Sequence, residues 1–376
     1  MNRTFKNIWA LMRKEFRSVF GDKVLSVLIV LVFTGMVIQA ANGISTDVKN
    51  ATVGVIDLDH STLSHRIVDS LLEPQFKKPI YIQREQADEL MDKGQLIFVL
   101  EFPPNFEKDI VAGRAPEAQL LVDATTMTQA GIGQVYISQI FQREILAFTG
   151  QTQMLNQIMP SQYALNVLYN PNGESPWFQG VAQVNNMISM LALVLVGAAV
   201  IRERERGTIE HLLVMPVTAS EIVLAKILAN GLVVCVAATL SMQFVVGGVI
   251  GLPIMGNIGL YFFGTAVFMF SVASLAVMLA TLAPTMPQYS LLMMPIYIVA
   301  LLFSGSSSPR HNMPQAAQWV SEYWPTTQFA TFAQNVIFRG AGLEIVYPQL
   351  LAMAIVGGVF LGFALFRFRK MLEKQG

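Results

Sequence analysis

Two stretches of this chain place charged side chains at spacings that chemistry could use. The first is Asp57-Leu58-Asp59-His60-Ser61-Thr62, at the end of an apolar run from Val53 to Ile56 that reads as a strand. Two carboxylates flanking one leucine there could bind Mg²⁺ and attack a phosphate. The simpler role is structural, with Asp59 or Ser61 capping the helix that follows. His60, His65, His211 and His311 are scattered with no partner four residues away, and Cys235 is the single cysteine, so no metal site follows from spacing. No Gly-x-x-x-x-Gly-Lys-Ser/Thr occurs, so nothing in the sequence is suited to cradle a nucleotide's phosphates. No catalytic residue is assigned, and no cofactor is expected on this chain.

The second stretch runs from Arg202 to Lys226, RERERGTIEHLLVMPVTASEIVLAK, a charged island between an apolar run ending at Ile201 and another starting at Ile227. Charges alternate from Arg202 through Glu203, Arg204 and Glu205 to Arg206. Gly207 then opens a helical pattern with Ile209, Leu212 and Leu213 on one side and Glu210 on the other, and Pro216 stops it. Thr218-Ala219-Ser220-Glu221 has the form of a capping box, in which hydroxyl and carboxylate satisfy the free amides of a new helix. A plain polar loop between spans needs neither a glycine-bounded amphipathic helix nor consecutive stop and start signals. The implied geometry is a helix along the membrane surface, a proline elbow, and a second helix turning into the bilayer.

The elements that must position this island are membrane spans. Of 376 residues 53% are hydrophobic and only 13% charged, where soluble domains carry roughly a quarter charged residues. Net charge is zero, which gives no case for a nucleic-acid partner. Residues 1–23 form a basic amphipathic helix suited to the headgroup layer, and 24–46 carry a charge-free, uncleaved first span except for Asp47 just beyond it. Residues 47–177 differ in kind. Strand signals at 53–56, 80–83, 96–102 and 120–122 alternate with helix signals at 61–72, 86–93 and 105–111, and a long helix is expected at 128–157. The expectation is one extracytoplasmic α/β domain.

Residues 178–201 hold the second span, and 202–226 return the chain to the cytoplasm. Positions 227–309 contain no Asp, Glu, Lys, Arg or His; at about 20 residues per span plus turns they hold three helices, within 227–304. Residues 305–344 form an outer segment in which Pro325 to Phe338 dips into the membrane without crossing. Residues 345–376 hold a sixth span and a basic tail with Arg367, Arg369 and Lys370, which puts both termini in the cytoplasm. The fold class is thus an α-helical membrane protein of six transmembrane helices with a large outer domain between the first two. Within the spans, Gln183, Asn185, Asn186, Ser189, Ser241 and Gln243 are polar. Hydrogen bonding between helices accounts for such residues in general, and Gln183, Asn185, Asn186, Ser189 and Gln243 are also candidates to line a substrate route. The absence of charge from the middle spans argues against a proton relay and points to an amphipathic or apolar substrate.

The island resembles the signature of ABC-2 type exporter permeases, matched at Arg202, Glu203, Glu205, Gly207, Thr208, Glu210, Leu212, Leu213 and Pro216. Leu11-Met12-Arg13-Lys14-Glu15-Phe16 with Gly21-Asp22 is similar to that family's opening interface helix. Val53-Gly54-Val55-Ile56-Asp57-Leu58-Asp59, Phe102-Pro103-Pro104-Asn105-Phe106, Leu121-Val122-Asp123 and Trp324-Pro325-Thr326-Thr327 resemble its drug-efflux branch. The resemblance implies a coupling helix docked on a separate ABC ATPase subunit, which holds the ATP and magnesium. It also implies a second permease copy or paralogue, a bacterial inner-membrane location, and a periplasmic adaptor leading to an outer-membrane channel. A membrane-anchored receptor with a ligand-binding outer domain is the competing reading; the short inner segments leave it no output domain.

Overall fold

The computed structural model describes residues 3–43, 48, 50–123, 127–150, 169–170, 174–205, 217–305 and 313–373. They begin with α1 (Arg3–Gly21), α2 (Lys23–Phe33) and α3 (Gly35–Gly43). Asp22 separates the first two by accepting the Leu25 amide at 3.1 Å, which caps α2. Thr34 interrupts the apolar stretch Lys23–Gly43, its hydroxyl donating back to the Val30 carbonyl at 2.6 Å. Contacts divide the chain into two units, one of Met1–Ile44 with Leu168–Gly376 and one of Ser45–Val167.

The second unit follows as β1 (Val53–Asp57), α4 (Thr62–Asp69), β2 (Ile80–Tyr81), α5 (Arg84–Asp92), β3 (Phe98–Phe102), α6 (Phe106–Val111), β4 (Gln119–Val122) and α7 (Met127–Phe148). The sheet order is β2-β1-β3-β4, with β1 parallel to β2 and β3 and β4 antiparallel to β3. β1 and β3 are buried along their whole length because helices cover both faces. Val53, Val55, Phe98 and Leu100 pack with Leu63 and Ile67 of α4, Phe106 of α6 and Ile137 of α7. Ile56 and Val99 pack on the other face with Ala87 of α5. Compared with the sequence reading, the second strand is shorter and α7 is described only to Phe148, the expected continuation to 157 lying outside the described residues.

The aspartates after β1 serve helix ends. Asp57 accepts the amides of Asp59 at 3.0 Å and His60 at 2.9 Å and the Ser64 hydroxyl at 2.7 Å. Ser61 caps α4 through a capping box with Ser64, as one of the two expected residues. Asp59 acts elsewhere: its carboxylate accepts the Glu107 amide at 2.9 Å at the start of α6, while Glu107 accepts the Leu63 amide of α4 at 2.8 Å. Among the described residues no group of three or more His, Cys, Asp or Glu side chains is arranged to hold a metal.

The helical unit resumes with α8 (Ser175–Glu205), α9 (Ala219–Leu240) and a π-helical continuation, Ser241–Val249. Then come α10 (Ile258–Leu282), α11 (Met286–Phe303), α12 (Gln315–Glu322), α13 (Pro325–Ile337) and α14 (Leu343–Glu373). Six helical stretches among the described residues are long and apolar enough to cross a membrane, three of them inside the charge-free interval and its approach, Ala219–Val249, Ile258–Leu282 and Met286–Phe303. α8 is the most enclosed. It meets α11 closely: Tyr289 donates to the Leu193 carbonyl at 2.7 Å, and a Cβ at Gly197 would lie 2.0 Å from that hydroxyl, so only glycine fits. α13 is buried over most of its length, with Phe329 stacked on Phe268 of α10 at 4.2 Å. Its 13 residues span about 20 Å, too little to cross a hydrocarbon core.

Burial raises the Asp59 carboxyl's pKa, but the Ser61 hydroxyl and the amides of Glu107, Phe106 and Asn105 outweigh it and hold the group below its ordinary value. A depressed folded value means stability that is complete above the unfolded pKa and lost as pH falls through the folded one. Amide protection of α4 and α6 in the full chain should therefore hold from about pH 7 down to about pH 5 and fall as pH drops below about 4. Asp59→Asn should lower protection already at the upper pH and flatten the dependence; an unchanged profile by hydrogen exchange would remove Asp59 from this role.

Candidate coupling site

Lys226 lies at the start of the third turn of α9, the one charged residue of that helix beyond Glu221. It is 3% exposed. Its ammonium donates to Glu15 Oε1 at 2.8 Å, to the Ala199 carbonyl at 3.1 Å, and approaches Glu203 Oε2 at 2.9 Å. Three donors thus meet three acceptors, one from α1 and two from α8. The other oxygen of Glu203 accepts from Lys14 Nζ at 2.8 Å. Two lysines balance two glutamates, so the cluster is neutral. Helical spacing explains the directions: Glu15 is the one acidic residue of α1 and, with Val19 a turn later, lies on its buried face.

The last turn of α8 fans its other charges toward a different neighbour. Arg204 donates to the Ala283 carbonyl at 3.1 Å, where α10 ends, and Glu205 accepts the Met286 amide at 2.7 Å, where α11 begins. A cation on a helix C-terminus and an anion on an N-terminus both complement the helix dipoles. Glu205 also replaces a missing cap, because Thr285 makes no side-chain hydrogen bond to α11. Arg202 turns back to the Ala198 carbonyl at 3.2 Å.

Across the gap, the expected capping box is present. Glu221 accepts the Thr218 amide at 2.8 Å, and Thr218 accepts the Glu221 amide at 3.3 Å. Asn7 of α1 adds a bond to the same carboxylate at 3.2 Å. α1 is therefore tied to α9 twice, through Asn7–Glu221 and Glu15–Lys226. Of the nine residues proposed from the sequence, Arg202, Glu203 and Glu205 fall in the described part and hold its near end. Gly207, Thr208, Glu210, Leu212, Leu213 and Pro216 lie outside the described residues.

Sequence reasoning missed the partners. In the sequence Asn7 stands only within a basic amphipathic helix, Lys14 and Glu15 within that helix and its Leu11–Phe16 motif, and Lys226 only at the end of the island. A lysine eight residues past a helix cap and followed by apolar sequence is the available signal, since such a charge is buried only with a partner. The polar residues of the spans divide. Asn185 and Ser189 are buried on one face of α8, with the Ser189 hydroxyl donating to the Asn185 carbonyl at 3.0 Å. The Asn185 Oδ1 is buried without a hydrogen-bond partner among the described residues. Gln183 and Asn186 are half-buried, and Gln243 is exposed on the π-helical segment.

A bundle of six apolar stretches whose conspicuous buried ion pair joins an amphipathic opening helix to the second and third of them defines a polytopic membrane protein. Residues 24–366 match the ABC-2 family transporter protein model, and the chain belongs to that family, as the membrane subunit of an ABC transporter that works with an ATPase partner. The inner membrane transport permease YhhJ of Escherichia coli strain K12 is 42% identical to it over 370 residues, covering 98% of this chain and 99% of that one. The probable multidrug ABC transporter permease YbhR of the same organism is 24% identical over 376 residues, covering 98% and 100%. ABC transporter G family member 20 of Dictyostelium discoideum is 22% identical over 340 residues, covering 89% of this chain and 46% of that protein.

Removing one partner of a buried ion pair leaves an uncompensated charge, at a cost of about 3–5 kcal/mol. Lys226→Met is expected to lower the thermal midpoint of the purified protein clearly. Adding Glu15→Gln and Glu203→Gln to it should recover much of the loss, and a triple variant no more stable than the single one would mean that the cluster is not coupled in this way.

Proposed function

We propose that this chain is the permease subunit of an ATP-driven exporter that moves an amphipathic or hydrophobic substrate out of the cytoplasm or the inner leaflet. ATP and magnesium belong to the separate ATPase subunit, which docks on the helix expected within 207–214. The observation that carries this reading is the attachment of both ends of that segment. On one side Glu203, Arg204 and Glu205 reach α1, α9 and the turn between α10 and α11; on the other Thr218 and Glu221 begin α9 and reach α1. Displacement of the docked segment is then delivered to several helices at once. Coupling of this kind requires that the ATPase contact the segment differently in two states.

In this reading the chain lies in the bacterial inner membrane with both termini cytoplasmic. The cations of α1 and Arg367, Arg369 and Lys370 support that orientation, as does the printed description of the 42% identical relative as an inner membrane permease. Residues 47–177, between the first two spans, are then an extracytoplasmic α/β domain, and 305–344 an outer segment. A second copy or paralogue completes the pathway, with a periplasmic adaptor and an outer-membrane channel as further partners. The route is assigned to the polar face of α8, where the buried Asn185 Oδ1 has no hydrogen-bond partner among the described residues. The charge-free interval 227–309 and the multidrug description of the YbhR relative support an apolar cargo.

Glu210→Ala and Gly207→Pro should each reduce ATP-dependent transport into inside-out membrane vesicles severalfold while leaving the permease inserted at normal levels. Transport equal to that of the unaltered chain in both variants would end the assignment of this segment as the lever.

A further inference from the structure

A groove of about 520 Å³ runs where α1, α2 and α9 meet, on the side of α1 adjoining the face that carries Glu15. Phe16 and Phe20 of α1, Val30 of α2, and Leu232, Val236 and Leu240 of α9 form its walls. The three α9 residues recur every four positions and are 43–51% exposed, a continuous apolar stripe left uncovered by the described residues. Its lining contains one polar side chain, Ser26, whose hydroxyl already donates to the Val19 carbonyl at 3.3 Å. The groove therefore offers hydrocarbon and no free hydrogen-bonding group, which suits a methylene chain and disfavours a polar solute.

Charge selects the other end of the occupant. On α1, Arg13 and Arg17 flank the stripe of Phe16 and Phe20 at helical spacing, and both are exposed. Lys23 is exposed at the start of α2. The only carboxylate of α1, Glu15, is turned away and bound to Lys226, so it does not neutralise them. Arg13 and Arg17 have no anionic partner among the described residues. An arginine pair beside an apolar slot matches a phosphate beside an acyl chain.

We infer that this groove binds an anionic phospholipid, with one acyl chain between α1, α2 and α9 and the headgroup on Arg13, Arg17 and Lys23. The inference rests on the placement of α1 at the membrane interface. Bound there, the lipid supports the same α1–α9 contact that the Glu15–Lys226 pair makes from the other side, so the interface helix is held by an ion pair on one flank and by the bilayer's own acidic component on the other.

The test uses the full chain in nanodiscs containing trace phosphatidylglycerol or phosphatidylcholine probes with a photoreactive group on the acyl chain, at equal mole fraction, with labelled peptides mapped by mass spectrometry. Labelling of the peptides containing Phe16 and Leu232 to Leu240 should be severalfold higher with the phosphatidylglycerol probe. Arg13→Gln with Arg17→Gln should bring the two probes to parity, and Ala237→Trp, which fills the groove, should reduce both. Equal labelling by the two probes in the unaltered protein overturns the inference whatever the variants do, and so does a preference that survives loss of both arginines. If neither probe labels any apolar helix, the interface placement itself fails, which is a separate result from probe parity.

Discussion

An ammonium ion inside a protein keeps its charge only where enough oxygen surrounds it, because the desolvation of an isolated ion is worth several kcal/mol against folding. Lys226 meets that requirement with two carboxylates and a carbonyl, and the two carboxylates come from helices far apart in the chain, Glu15 lying 211 positions from it. The cluster therefore constrains geometry more than it adds stability. α1, the end of α8 and the start of α9 must lie within reach of one nitrogen atom, and none can shift alone without stranding a charge.

Helix-end electrostatics extend the constraint. The two residues after Glu203 reach a carbonyl at the end of α10 and an amide at the start of α11, each the unsatisfied group that its helix end leaves. α8 is long and deeply enclosed, and its final turn reaches α1, α9, the end of α10 and the start of α11. Glu205, where the described part of α8 stops, is thus the end of a helix fastened on several sides.

The rest of the bundle is fastened by different means. Aromatic stacking joins α13 to α10 through Phe329 and Phe268, and the hydroxyls of Thr326 and Thr327 reach the carbonyls of Ala300 and Phe303 at the end of α11. The π-helical continuation of α9 starts at Ser241, whose hydroxyl donates to the Phe33 carbonyl beside the break at Thr34. Interruptions in two neighbouring helices are thereby joined, one supplying the acceptor that the other uses. These contacts are uncharged, as expected for apolar helices, and they contrast with the ionic fastening around Lys226.

Signals confined to a few consecutive residues were legible without the fold. Apolar runs, divided by span length, led to three helices within positions 227–309 and six in all, and six apolar stretches are present. Thr218 and Glu221 form the capping box that their spacing required, and Ser61 caps α4, because hydrogen bonds between a residue and its third neighbour are decided by local geometry. Asp59 shows the boundary. Its residue type announces a cap, but the amide it accepts lies 48 positions later, and only the pairing of β1 beside β3 brings that helix end to it. Glu15 and Lys226 stand on the same boundary. Glu15 is the one acidic residue of α1 and Lys226 the last charge before an apolar run, and burial of such a charge implies a partner without naming it, since the partner is whichever helix packs alongside and that is settled by the tertiary fit of whole apolar faces.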